Sequence, residues 1–243
     1  MLNAFFENII ICTHVGGEIT VFKKWIIVIA TLLFIGIVIR MLLIIASNHQ
    51  QPMHSNIIEP KNALPIIVER QGVTKVNGHV IVNKTYQLPQ YYKPGENKKA
   101  RHKLNEMLDK AEQKELDLKY ISGYRSYKDQ QKVVKSYLEN NGKKVAKQYT
   151  AKPGHSEHQT GLAFDVGTQR SLENFHEDFE HTKEAHWLAQ NASKYGFIIR
   201  YPKGQSKHTG YAYEAWHLRY VGPELAGIID NQDTNLESYY QLN

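Results

Sequence analysis

"GHSEHQTGLAFDVG", Gly154 to Gly167, packs two histidines, two acids and three glycines into fourteen residues. Its second half alternates, with Leu162, Phe164 and Val166 on one side and Gly161, Ala163 and Asp165 on the other. That is the period of a half-buried strand. Asp165 would then lie behind two very small side chains, with His158 just ahead and able to lean over the same space. Carboxylates and imidazoles are costly to bury unless they are paired or bind a metal. A lone His and a lone Asp are more often a loop cap and a turn, so a metal site needs a third ligand from elsewhere. His155 and Glu157 read as ordinary loop residues.

The surrounding chain supplies mixed elements. "HVIVN" (79–83) is a short strand candidate. Between Lys98 and Leu116, Ala100, Leu104, Met107, Leu108 and Ala111 recur at helical spacing. "LKYISG" predicts a strand ending at Gly123, and Tyr127 to Asn140 a helix stopped by Gly142. Thr182 to Tyr195 predicts a helix closed by Gly196, followed by the strand "FIIRY". "YAYEAWHLRYV" (211–221) alternates as a further strand, and Pro223 opens a short last helix. Without regular βαβ alternation, the expected class is α+β: one domain, 75–243, with a central, mainly antiparallel sheet flanked by helices.

Ahead of it, "WIIVIATLLFIGIVI" (25–39), Arg40 and "MLLIIA" make about 22 residues, the length that spans a bilayer core of about 30 Å as a helix. No Ala-x-Ala cleavage site follows, so an uncleaved anchor at 25–46 is expected. Arg40 costs a few kcal/mol there unless it snorkels towards the outer end. Lys23 and Lys24 precede the run and no Lys or Arg occurs from Ser47 to Ser55. Segment 1–24 is therefore expected in the cytoplasm and everything after the span outside. The polar stretch 47–74, with Pro52, Pro60 and Pro65, reads as a linker lifting the domain off the membrane.

The balance of 30 Lys+Arg against 24 Asp+Glu gives a net charge of +6 over 243 residues. No basic cluster interleaves with aromatics, so nucleic acid is not expected as a partner. The one cysteine, Cys12, excludes an intrachain disulfide. The sequence sets no oligomeric state.

Of the remaining histidines, His176, His181 and His186 lie five apart in an acid-rich segment, and His208 sits in a polar loop; all four read as solvated. His217 differs, because it stands in the alternating stretch with Ala215 and Arg219 on its face and Glu214 three residues before it. Two His and one Asp, with one position left for water, is the donor set of a catalytic zinc site. A carboxylate beside it that is not a ligand suits a general base.

"SEHQTGLAFD" fits Ser-x-His-x-x-Gly-x-Ala-x-Asp, and "EAWH" fits Glu-x-x-His. With "SGYRS" (122–126), these resemble the zinc D-alanyl-D-alanine carboxypeptidases of the VanY type, in the group that includes the VanX dipeptidases. The resemblance runs from about Asn77 to Gly222, and includes "GFIIRYP" and "WHLRYVG". It implies one Zn2+ ion on His158, Asp165 and His217, with Glu214 as base and Arg125 facing the scissile carbonyl. Ser156 and Gln130 would hold the substrate's terminal carboxylate. The activity implied is D,D-carboxypeptidase: removal of the terminal D-alanine from peptidoglycan stem peptides by a wall-facing, membrane-anchored enzyme, in routine trimming or in glycopeptide resistance. Two alternatives stand beside it. An L,D-carboxypeptidase would act on tetrapeptide stems, and a non-catalytic wall-binding module would be expected to have lost Glu214 or a ligand, whereas this chain keeps all of them.

Overall fold

The computed structural model describes residues 18–49 and 64–242. Cys12, most of segment 1–24 and residues 50–63 of the expected linker lie outside the described residues. Two units separate, 1–61 and Asn62–Asn243. In the first, helix α1 spans Glu18–His49 and contains the apolar run. Its described side chains, 26–41, are all exposed. Among the described residues no helix is long and apolar enough to cross a membrane, so the structure leaves the anchor reading without support of its own.

The second unit opens with a meander of β1 (Ile67–Arg70), β2 (Val73–Val76) and β3 (His79–Val80). Arg70 pairs with Val73 and Val76 with His79, leaving two-residue loops, Gln71-Gly72 and Asn77-Gly78. All four loop residues have positive φ, which two-residue hairpins between right-twisted strands require. Strand β1 and the start of β2 thus lie inside the stretch read as linker, 47–74.

Helix α2 (Lys98–Glu112) is capped by the Asn97 side chain, which accepts from Ala100 N, and buries Ala100, Leu104, Met107 and Ala111 as expected. Strand β4 (Leu118–Ser122) leads into α3 (Tyr127–Tyr149), broken at Gly142, where φ is +75°. A 3-10 turn, Glu157–Thr160, precedes β5 (Ala163–Thr168). Helix α4 (Lys183–Asn191), capped by Thr182, leads to β6 (Phe197–Ile199). Strand β7 (His217–Tyr220), α5 (Pro223–Asn231) and a final turn, Leu236–Tyr239, complete the fold.

The main sheet runs β4-β5-β7-β6, and every pair in it is antiparallel. Phe164, Val166, Phe197 and Leu218 of the sheet pack with Leu104, Met107 and Leu188 of the helices. A second cluster joins Val76 and Ile81 to Ile198, Val221, Leu225, Ile229 and Leu236. The α+β expectation with an antiparallel sheet holds.

Two local readings change. The strand expected over 211–221 is only 217–220, and all four of its residues are buried. Residues 215–216 turn instead, closed by His217 N donating to Glu214 O, while Glu214 N donates to Tyr201 O. Gly161 does not share a strand face with Asp165. It ends the 3-10 turn at φ +72°, where a Cβ would collide with the Gly95 carbonyl.

Candidate metal centre and its pocket

Asp165 sits in the centre of the sheet, opposite His217 on β7 and Ser122 on β4. A register shift between Tyr120 and Ser122 brings Ser122 into that place. The Ser122 hydroxyl donates to Asp165 Oδ2 at 2.6 Å and accepts from Arg125 Nη2 at 3.4 Å. His158, on the 3-10 turn, brings Nε2 to 3.1 Å from Asp165 Oδ2. Its Nδ1 bonds the Gly123 carbonyl at 2.7 Å, which leaves Nε2 as the free donor atom. Arg125 N donates to His158 O at 3.1 Å, so "SGYRS" and the ligand turn are clamped together. His217 Nδ1 lies 2.8 Å from Asp165 Oδ1, and its ring stacks on Tyr201 with centroids 5.1 Å apart.

These three residues offer one donor atom each, all within 4.8 Å of one another, and among the described residues they are the group that could hold a metal. The electrostatics fit a cation. Burial works against the charge on His217, but the Asp165 and Glu157 carboxylates beside it outweigh it and raise its pKa to about 10. Burial likewise works against the Asp165 carboxylate, yet His158 and His217 hold it well below its ordinary range. In the metal-free chain a proton thus occupies the charge balance that a metal would meet.

Glu214 is buried. Burial raises its pKa to about 8, with the Asp165 and Glu157 charges adding and His217 opposing. It lines one cavity of about 150 Å³ together with Arg125, Gln130, Ser156 and the three metal-site residues. Gln130, near the start of α3, is only 1% exposed. Its amide donates to Ala151 O at 2.8 Å and its Oε1 accepts from Arg125 Nη1 at 2.8 Å. Ser156 is buried at the head of the 3-10 turn and makes no capping bond. The structure therefore gathers all seven candidates, though Gln130 touches Arg125.

Sequence reasoning missed Glu157 and His176. Glu157, read as a loop residue, is fully buried between two arginines. His176, read as solvated, is half-buried; it bonds Tyr137 Oη at 2.8 Å and lines the cavity. His181, His186 and His208 are exposed as expected. No local pattern marks either residue, since their partners lie far along the chain.

The comparisons agree with this geometry. The family model described as VanY, D-alanyl-D-alanine carboxypeptidase, matches residues 94–223. A bifunctional D-Ala-D-Ala dipeptidase and carboxypeptidase, VanXYC of Enterococcus gallinarum, is 39% identical over 137 residues, 56% of this chain and 72% of its own. The chain spans a smaller share of two enterococcal D-alanyl-D-alanine carboxypeptidases, 34% and 45%, and 66% of a Bacillus subtilis relative. Among solved structures, the LdcB LD-carboxypeptidase superposes with a TM-score of 0.67 at 39% identity, covering 73% of this chain and 96% of that one. A mutant of the vancomycin-resistance D,D-pentapeptidase VanY, solved with Zn(II), superposes with a TM-score of 0.57 at 31% identity, covering 67% and 97%. Zinc is the metal that this donor set and that relative share. By the matched span and by what that span folds into, the chain is an enzyme and belongs to the VanY family of D-alanyl-D-alanine carboxypeptidases.

Proposed function

We propose that this chain is a zinc carboxypeptidase that releases the terminal D-alanine from peptidoglycan stem peptides. The observation that carries the reading is the convergence of His158, Asp165, His217, Glu214 and Arg125 on one small cavity. His158 Nε2, an Asp165 oxygen and His217 Nδ1 would hold the ion. When bound, zinc supplies Lewis acidity and lowers the pKa of a coordinated water to about 7.

The chain's own residues do the rest. Glu214, kept receptive to a proton by burial, takes one from the attacking water. As the peptide C–N bond breaks, it passes that proton to the departing D-alanine amine. No covalent intermediate is required. Arg125, aimed by Gln130 and Ser122, faces the oxygen that gains charge, where one good donor is worth roughly 3–4 kcal/mol. Ser156 binds the substrate's terminal carboxylate. Gln130, whose side chain is taken up by Arg125 and the Ala151 carbonyl, acts through the arginine it holds.

Two specificities share this chemistry. Three L,D-carboxypeptidase and DacB structures stand at 39–40% identity and TM-scores of 0.65–0.67, whereas the D,D-peptidases stand at 30–31% and 0.55–0.60. That difference favours L,D cleavage of tetrapeptide stems, the family description favours D,D cleavage of pentapeptides, and the two are separated by assay. The full chain is incubated with synthetic penta- and tetrapeptide stems, with and without a chelator, and D-alanine is measured. Release from the tetrapeptide that stops with chelator is expected. Release that ignores the chelator would sink the zinc mechanism, and none from either stem would sink the substrate.

The apolar run 25–39 and the lysines before it support attachment to the membrane with the enzyme on the wall-facing side. Fractionation of cells followed by protease shaving of intact protoplasts checks both parts. Recovery of the chain in the soluble fraction would overturn the attachment.

A further inference from the structure

We propose that Glu157 is the positioning residue of the metal centre, held behind His217 by a buried chain of ion pairs that ends on Glu237; the inference rests on the ligand set given above. Glu157 lies one residue before the ligand His158, yet its side chain reaches the other histidine. Oε2 stands 3.6 Å from His217 Nε2, an ion-pair distance, and both are buried atoms with no hydrogen-bond partner. The opposite ring nitrogen, Nδ1, faces Asp165. A carboxylate facing Nε2 favours the proton there, so that Nδ1 carries the lone pair a metal needs.

Glu157 cannot drift, because its other oxygen is fixed twice. Oε1 accepts from Arg200 Nε at 2.8 Å and from Arg219 Nη1 at 2.6 Å. All three side chains have zero exposure. Two arginines against one carboxylate would leave a buried positive charge, which a fold does not tolerate without a partner. Glu237 is that partner. Its Oε2 accepts from Arg200 Nη1 at 2.8 Å, its Oε1 accepts from Arg200 Nη2, and Asn83 Nδ2 donates to Oε1 at 3.1 Å. Arg219 is also tied, through Nη2 to the Val80 carbonyl at 2.6 Å. The chain of charges runs from the C-terminal turn to the back of a ligand, and Glu237 lies outside the family match at 94–223.

The test is zinc affinity, read by competition with a fluorescent chelator in the full-length chain, with the Co(II) absorption spectrum as a second readout. Glu157→Gln is expected to weaken zinc by roughly 10–100-fold and to alter the cobalt bands. Glu157→Asp, which keeps a charge for both arginines but withdraws the oxygen from His217, is expected to fold and to weaken zinc comparably. Glu237→Gln, which leaves Glu157 and every ligand in place, is expected to cost roughly 3–30-fold. His217→Ala serves as the reference for the ligand set. If it loses zinc while Glu157→Asp binds as wild type does, the positioning role is overturned and the ligand set stands. If His217→Ala itself binds zinc as wild type does, the ligand set has failed. Unchanged affinity in Glu237→Gln overturns the bracing by the C-terminal turn.

Discussion

At the scale of single residues, the site separates proton transfer from metal holding. Glu214→Gln removes the group that carries the proton and touches no donor atom. D-alanine release should fall by roughly 10²–10⁴-fold while bound zinc, measured by elemental analysis, stays near one per chain. Loss of zinc with the rate would place Glu214 among the ligands instead. A second expectation concerns the metal-free chain and pH. His217 is held protonated up to about 10 in the fold, against about 6.5 when unfolded. A raised folded value stabilises fully below the unfolded value and is lost as pH rises through the folded one. Denaturation of the apo chain in urea should therefore show stability declining from about pH 6.5 towards 10, and His217→Gln should flatten that decline. The ligands and Glu214 were legible because their types and spacing are tied to chemistry that tolerates little change. Glu157 was not, because what buries it comes from Arg200 and Arg219, both distant in the chain. A loop glutamate looks the same on paper whether or not such partners return to it.

At the scale of elements, the strand that carries Asp165 depends on the turn before it. Gly161 takes positive φ and lies against the Gly95 carbonyl, and Asn97 N donates to Gly161 O at 2.9 Å. Gly161→Ala adds a Cβ where backbone already stands, so it should cost about 3 kcal/mol or more in urea unfolding. Gly204→Ala, also at positive φ but with open space around it, should cost only the conformational part, roughly 1 kcal/mol. Equal costs would mean that close approach is not what holds Gly161. Helix α2 was legible from its apolar spacing, since one buried stripe and an Asn cap suffice to define it. The stretch 211–221 was over-read because alternating aromatic and polar residues also suit a turn against Tyr201, and only the sheet pairing shows where the strand begins. The early hairpins were under-read, because their signal lies in two pairs of loop residues and not in any hydrophobic period.

At the scale of the whole molecule, metal and fold are linked. A ligand that binds only the native state stabilises by RT ln(1 + [L]/Kd), about 4 kcal/mol at a thousandfold excess over Kd. Chelation should lower the melting temperature measured by calorimetry, and restored zinc should return it; an unchanged melting temperature would mean that the apo and loaded forms are equally stable. The sequence conveyed the α+β class and the core of the site, because both rest on patterns within short stretches. It did not convey how the ends of the catalytic unit close on one another. Tyr240 Oη meets His79 Nδ1 at 2.6 Å, Leu88 N donates to Gly154 O at 2.7 Å, and Val76 and Ile81 pack with Leu236. These flanks lie outside the residues that the family model matches, 94–223. The recognisable span is therefore not a cassette that could be transplanted by itself. A gene fusion that carried 94–223 alone would move every catalytic side chain and strand the arginines behind them, so exchange between genes should succeed only when both flanks travel together.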